Sequence, residues 1–139
     1  MTSDKWLQID PVPPASILDF LEARRREGFR ILAVEQTSAS VPLHTYTFPE
    51  RFVLLLGNET SGIPPELLHV VDDCVEIPQN GMIRSLNVHV CGSIVLWEAR
   101  RQTLVKNPAL MRQLNTGTPA AAGEAMGEVT GPSPAISFN

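Results

Sequence analysis

The chain has 139 residues, is 43% hydrophobic and carries a formal net charge of −4. This size favours one hydrophobic core in a single domain, and the negative charge does not by itself indicate a nucleic-acid-binding protein, which usually shows a basic face. Residues 1–10 lack the apolar core of a secretion signal, and no apolar run is long enough to span a bilayer. We therefore expect a cytoplasmic or nuclear protein without membrane contact.

The first half of the chain predicts one helix followed by two strands. A helix is expected from Pro13 to Gly28, because proline suits a first helical turn and glycine suits a C-terminal cap. Its apolar stripe consists of Ile17, Leu18, Phe20 and Leu21. Residues 29–35 predict a strand and residues 36–49 a polar loop. The continuous apolar run 52–56 predicts a strand buried on both faces, as in a parallel sheet.

The second half predicts a short helix, a third strand and a long helix. The short helix is expected from Pro64-Pro65 to about Val71, and the strand over residues 74–77. Ser85 is a good N-cap for a helix from Leu86 to about Lys106, with Val90, Ile94 and Trp97 as its apolar stripe. Trp6 and Trp97 are interpreted as core residues rather than base-stacking platforms, and His89 as a buried histidine rather than a base. Asn107-Pro108 marks the end of this helix.

From Asn115 onward, small residues and proline dominate the composition, which predicts a disordered tail. We assign residues 1–106 to a folded domain and residues 107–139 to a low-complexity tail. The order of helices and strands in the domain predicts an α/β fold with a parallel sheet.

The cysteines and the clustered arginines have plain structural interpretations. Cys74 and Cys91 lie in apolar runs, without a CxxC pattern or a histidine at ligand spacing. This predicts two buried thiols in a reducing compartment and no zinc site. The basic run 24–26 is typical of a solvated helix end, with a phosphate contact as the open alternative.

Two turn-rich loops, at residues 57–62 and 78–84, each follow a predicted strand. Ligands of open parallel sheets bind at the carboxyl ends of strands, where glycines let the backbone approach a ligand closely. The loops therefore predict a ligand cleft, although an ordinary strand-to-helix turn is the commoner interpretation of either loop alone.

Polar residues in and after these loops sharpen the prediction. Glu59 could position a substrate or a base, and Ser85 could act in the cleft or simply cap the helix. Asn87 is a poor helix former in a first helical turn, which indicates a hydrogen-bonding role in the cleft.

Two segments resemble signature motifs of the SpoU (TrmH) RNA methyltransferases. Residues 56–63, LGNETSGI, resemble the second motif, and residues 77–88, IPQNGMIRSLNV, resemble the third. The sequences of residues 35–37 and 83–90 resemble those of the eukaryotic tRNA guanosine 2'-O-methyltransferase branch. The resemblance covers roughly Trp6 to Gln102.

The resemblance implies a SPOUT fold, whose C-terminal chain is threaded into a deep trefoil knot. It also implies a homodimer that binds S-adenosylmethionine and methylates RNA, in this branch tRNA. By residue match, the implied cofactor-binding residues are Leu56, Gly57, Ile77 and Leu86. The implied catalytic residues are Glu59, Ser85 and Asn87. Substrate contacts are expected at Asn58 and Arg84, and no metal is implied.

One family feature has no counterpart in these 139 residues: the first motif, an asparagine-glycine-arginine segment whose arginine is thought to activate the ribose hydroxyl. A 2'-hydroxyl is a weak nucleophile, so some group must help remove its proton. We therefore expect a partial domain with its first strands missing and with little or no methyl transfer on its own. The alternatives are an inactive RNA- or partner-binding module and a generic nucleotide-binding domain. The second is disfavoured because no GxGxxG or P-loop is present.

Overall fold

The computed structural model of the chain describes residues 9–80, 86–116 and 136–138. Its sheet has the order β2-β4-β1-β3-β5, and every neighbouring pair is parallel. The strands are β1 (Arg30–Val34), β2 (Val41–Pro42), β3 (Phe52–Leu56), β4 (Asp73–Glu76) and β5 (Ile136–Phe138). The helices are α1 (Ile17–Arg26), α2 (Pro65–Leu68), α3 (Val88–Lys106) and α4 (Pro108–Thr116). The predicted α/β class and parallel sheet are confirmed.

Strand β3 lies between two apolar layers. Successive residues of a strand point to opposite faces, so Val53 and Leu55 pack in the layer of α1 and α2, while Leu54 and Leu56 pack in the layer of α3. All four side chains are almost fully buried. The apolar run that predicted burial on both faces is confirmed.

The connection from α1 to β1 follows the prediction closely. A short 3-10 turn, Pro14–Ser16, precedes α1, and Gly28 follows the helix with a φ of 88°, a conformation that favours glycine. Ile17 and Leu21 are buried, but Leu18, expected in the same apolar stripe, is exposed.

The segment predicted as a loop over residues 36–49 contains two short elements. Strand β2 pairs with β4, and a 3-10 turn, Leu43–Thr45, follows it. Pro42 is tolerated in this strand because β2 lies at the edge of the sheet, where a missing N–H breaks no central ladder. Helix α2 ends at Leu68, before the predicted Val71.

The predicted core face of α3 is wrong. Val90, Ile94 and Trp97, which we call the α3 stripe, are 46%, 38% and 64% exposed. His89, expected to be buried, is exposed as well. The helix instead buries Gly92, Val95, Ala99 and Leu104. Because α3 carries apolar residues on more than one side, their spacing does not identify the side that meets the sheet. Trp6 lies outside the described residues.

The ends of α3 also differ from the prediction. Its N-cap is Asn87, whose Oδ1 accepts a hydrogen bond from the His89 amide at 2.9 Å. The prediction of Ser85 as the cap is wrong, because the helix starts farther along the chain. Pro108, expected only to end α3, also opens α4. Within the predicted tail, the structure therefore describes a helix and the strand β5, and residues 117–135 lie outside the described part.

Charged side chains join the amino ends of β1 and β4. Arg30 donates to Asp73 Oδ2 through Nε at 3.1 Å and Nη2 at 2.8 Å, and the Tyr46 hydroxyl donates to the same oxygen at 2.9 Å. Arg25 donates to Asp72 Oδ1 at 3.2 Å. Burial, together with the bond to Asp73, raises the pKa of Tyr46 far above its usual value. Each of these groups is thus held by a partner within the chain.

The basic run at the end of α1 is paired as well. The three ion pairs are Arg24–Glu27, Arg25–Asp72 and Arg26–Glu22. These contacts support the interpretation of the run as a solvated helix end. Among the helices that the structure describes, none is both long and apolar enough to cross a membrane.

Candidate functional site

A cavity of about 730 Å³ opens where the chain leaves β1, β3 and β4 at their carboxyl ends. Its volume lies in the range of small-molecule sites. Seven of the nine sequence-predicted site residues line it: Leu56, Gly57, Asn58, Glu59, Ile77, Leu86 and Asn87. The other two, Arg84 and Ser85, lie outside the described residues. The two predicted loops therefore meet at one cavity.

The loop after β3 folds back on itself as a tight hairpin over residues 57–63. The Asn58 amide donates to the Gly62 carbonyl at 3.1 Å, and the Gly62 amide donates to the Asn58 carbonyl at 2.8 Å. A Cβ on Gly57 would lie 2.5 Å from the Gly62 carbonyl carbon, and Gly62 itself has a φ of 68°. The hairpin therefore requires glycine at both positions.

Two side chains in the hairpin were predicted to act in the site. Asn58 Oδ1 accepts a hydrogen bond from the Thr60 amide at 2.8 Å, which stabilises the turn. Glu59 is exposed and forms no hydrogen bond or ion pair with the residues that the structure describes. Among the described residues, none therefore holds the Glu59 carboxylate in a structural contact.

Two carboxylates that line the cavity are not among the sequence-predicted site residues. Glu35 follows β1, and its Oε2 accepts a hydrogen bond from the Ile63 amide at 3.3 Å. Glu76 ends β4, and its Oε2 accepts one from the Ser40 hydroxyl at 2.9 Å. Their position was the available signal, because both lie at the carboxyl ends of strands in a parallel sheet.

The lining of the cavity is acidic. Glu35, Glu59 and Glu76 contribute carboxylates, while the lining residues within the described ranges include no lysine, arginine or histidine. Like charges around a cleft focus the field inside it. The described part of the lining therefore favours a ligand with positive charge.

Described residues between the end of β4 and the first turns of α3 also line the cavity, and most of them are apolar. Leu86, Val88 and Cys91 line it, and the Cys91 thiol donates to the Leu86 carbonyl at 3.8 Å. Burial raises the pKa of the Cys91 thiol, so it is protonated and neutral at neutral pH. Both cysteines are half-buried, whereas full burial was expected.

A model of the SpoU rRNA Methylase family matches residues 1–97. The chain belongs to this family. It is 47% identical over 105 residues to the mouse tRNA (guanosine(18)-2'-O)-methyltransferase TARBP1, an alignment covering 76% of this chain and 7% of that protein.

Solved structures of SpoU proteins resemble the fold as well. The A. aeolicus TrmH/SpoU tRNA modifying enzyme superposes with a TM-score of 0.67 at 36% identity, covering 75% of this chain and 52% of that one. The AdoMet bound rRNA methyltransferase from Sinorhizobium meliloti superposes with a TM-score of 0.55 at 36% identity, covering 60% and 32%. The chain thus spans at most about half the length of these SpoU relatives.

Proposed function

We propose that this chain is the methyl-donor half of an S-adenosylmethionine-dependent tRNA ribose 2'-O-methyltransferase. The observation that carries the proposal is the meeting of two SpoU motifs at one acidic cavity. The name of the mouse relative supports a tRNA guanosine as substrate. The AdoMet-bound relative supports the methyl donor.

The described lining fits this donor chemically. S-adenosylmethionine carries a sulfonium, an ammonium and one carboxylate, so its net positive charge suits the carboxylates of Glu59 and Glu76. Leu56, Ile77 and Leu86 supply apolar surface and backbone groups for the adenosyl part. When bound, the cofactor supplies a methyl group that its sulfonium already activates. The protein's task is then to hold and orient the reactants.

The polar residues receive separate roles in the proposal. Glu59, Ser85 and Asn87 act at the reacting groups, while Asn58 and Arg84 contact the RNA. Because Oδ1 of Asn87 caps α3, its side-chain N–H groups are the donors it can offer to a ligand. The proposed domain spans residues 1–106, and the chain shares the cytoplasmic or nuclear location of its tRNA substrate.

Isotope-labelled S-adenosylmethionine tests the proposal in two steps: saturable binding by the 139-residue chain, then transfer to a tRNA transcript with nucleoside analysis. We expect binding, and 2'-O-methylguanosine as the only labelled product of any transfer. Label on a base would contradict ribose methylation, and absence of donor binding would contradict the proposal as a whole.

A second candidate is an RNA- or partner-binding module that binds the donor without catalysis. It is favoured by the absence of an asparagine-glycine-arginine motif from the 139 residues. Donor binding and tRNA retention without detectable transfer would support this candidate, whereas turnover on tRNA would eliminate it.

We also propose a homodimer that uses the α3 stripe. Val90, Ile94 and Trp97 form an exposed apolar strip on one helix, and such strips commonly mark protein contacts. Analytical ultracentrifugation should show a dimer for the unmodified chain and a monomer for Trp97→Glu. A monomeric unmodified chain would contradict this part of the proposal.

The deep trefoil knot of the SPOUT fold is a further part of the proposal, supported by family membership. It requires the segment from β4 to α3 to pass through a loop formed by earlier residues. A crystal structure that traces residues 78–88 past that loop on the outside would contradict it.

A further inference from the structure

We propose, resting on the function proposed above, that Glu35 is a positioning residue that holds the hairpin of residues 57–63 in the shape required to bind the methyl donor. Glu35 lies at the carboxyl end of β1, outside both SpoU motifs. Its side chain reaches the hairpin that follows β3.

A backbone hydrogen bond holds the main chain of Glu35 in place. The Glu35 amide donates to the Val75 carbonyl at 3.2 Å, which extends the pairing of β1 with β4. From this anchored position, Oε1 accepts from the Gln36 amide at 3.1 Å and Oε2 accepts from the Ile63 amide at 3.3 Å. The carboxylate therefore links the end of one strand to the hairpin of its neighbour.

The hairpin is built to admit this carboxylate. A Cβ on Gly62 would lie 2.8 Å from Glu35 Oε2, so a side chain at this position would push the carboxylate away from the hairpin. A Cβ on Gly57 would lie 2.7 Å from the Ile63 nitrogen, the same atom that donates to Glu35. The Ile63 amide thus packs closely against Gly57, and Gly57 lines the cavity. A shift of this amide would therefore change the wall of the cavity.

A charged acceptor strengthens this link. Hydrogen bonds from backbone amides to a carboxylate are stronger than those to a neutral oxygen. A hairpin that is already fixed binds a ligand without first losing conformational freedom. Loss of the Glu35 contact should therefore weaken donor binding by loosening the hairpin, even though the rest of the cavity is unchanged.

The test compares four variants of the full chain: Glu35→Ala, Glu35→Asp, Glu35→Gln and Glu76→Gln. Aspartate keeps the charge but shortens the reach, whereas glutamine loses the charge and the acceptor for the Gln36 amide but keeps an oxygen that can accept from Ile63. Glu76→Gln removes a charge from the same cavity without touching the hairpin. Calorimetry gives the Kd for S-adenosylmethionine, and amide hydrogen exchange at Ile63 reports on the hairpin.

If Glu35 acts by positioning the hairpin, the length of its side chain should affect donor binding more than its charge does. Glu35→Ala and Glu35→Asp should raise Kd on the order of 10-fold, the loss expected for one hydrogen bond to a charged group. Both should accelerate exchange at Ile63. Glu35→Gln should keep Kd within about threefold of the unmodified chain, and Glu76→Gln should leave exchange at Ile63 unchanged.

The opposite order of variants would overturn the inference. If Glu35→Asp binds like the unmodified chain while Glu35→Gln binds as weakly as Glu35→Ala, then Glu35 acts through its charge. If the unmodified chain binds no donor, the proposed function fails, and exchange at Ile63 still decides whether Glu35 holds the hairpin. If Glu35→Ala does not fold, the aspartate and glutamine variants carry the comparison.

Discussion

Carboxylates at the amino ends of the parallel strands, here called the amino edge, differ in their contacts from carboxylates at the carboxyl ends, here called the carboxyl edge. At the amino edge, Asp72 and Asp73 each pair with an arginine, so their charges are neutralised within the fold. At the carboxyl edge, Glu35, Glu59 and Glu76 line a cavity and form no ion pair with a described basic residue. Paired charges fix the structure, whereas the carboxylates that pair with no described basic residue retain an electrostatic field for a ligand.

Glycines at the two edges also differ in role: one is required by the backbone conformation of the fold, and the other by close packing at the cavity. Gly28, at the amino edge, needs its positive φ, but an added Cβ would come no nearer than 3.7 Å to another group. Gly57, at the carboxyl edge, lies against the backbone of its own hairpin. A change at Gly28 therefore tests the fold, while a change at Gly57 tests the site.

The largest expected effect is that of Gly57→Ala. Its Cβ would lie 2.5 Å from the Gly62 carbonyl carbon, so the hairpin cannot close. We expect Kd for S-adenosylmethionine to rise on the order of 100-fold by calorimetry, equivalent to about 3 kcal/mol. Gly28→Ala is the control: it should lower the free energy of unfolding by about 1 kcal/mol and leave Kd unchanged. Equal Kd values for the two variants would contradict the claim that the carboxyl edge, and not the amino edge, binds the donor.

The next effect concerns stability at the amino edge. Asp73→Ala removes the acceptor of Tyr46 and should lower the free energy of unfolding by about 1–2 kcal/mol in urea titrations. Tyr46→Phe, which removes one hydroxyl, should cost less. Neither change should alter Kd for the donor, and a shift in Kd without loss of stability would contradict the structural role of this edge.

Alkylation of the two cysteines gives a smaller, local readout of the carboxyl edge. Because burial raises the pKa of both thiols, alkylation should be slower than for a free cysteine near pH 7 and should accelerate as pH rises. Cys91 lines the cavity and Cys74 does not. Donor at ten times its Kd should slow alkylation of Cys91 about tenfold. Equal protection of Cys74, read by mass spectrometry, would argue against a local effect.

The smallest effect concerns Glu98, a carboxylate of α3 that is paired like those of the amino edge. Hydrogen bonds from Arg101 and Gln102 lower its pKa from 4.5 to about 2. Because the folded pKa is depressed, its contribution to stability is present above pH 4.5 and is lost as pH falls toward 2. Glu98→Gln should therefore lose less stability across this range, and the difference should be small because the Arg101 side chain is 53% exposed to solvent. Identical acid unfolding curves would contradict the pairing.

Sequence alone could predict the features that depend on local patterns. The apolar run of β3 indicated burial on both faces, and two motifs indicated loops that the structure brings to one cavity. The side of α3 that meets the sheet could not be predicted, because Val90 and Val95 are both apolar and only packing separates them.

Glu35 was missed for a different reason. Its contact with Ile63 joins residues 28 positions apart and exists only because β1 and β3 are neighbours in the sheet. Ser85 was assigned the cap that Asn87 supplies, since both residue types suit that position and the sequence does not fix where the helix begins.

The most direct test of the donor site is titration of the 15N-labelled chain with S-adenosylmethionine, followed by NMR. Donor binding at the proposed site should cause saturable shifts of the amide resonances in residues 56–63 and 77–88, with those of Arg30 and Asp73 at the amino edge unchanged. Shifts centred on the amino edge, or none up to millimolar donor, would contradict it.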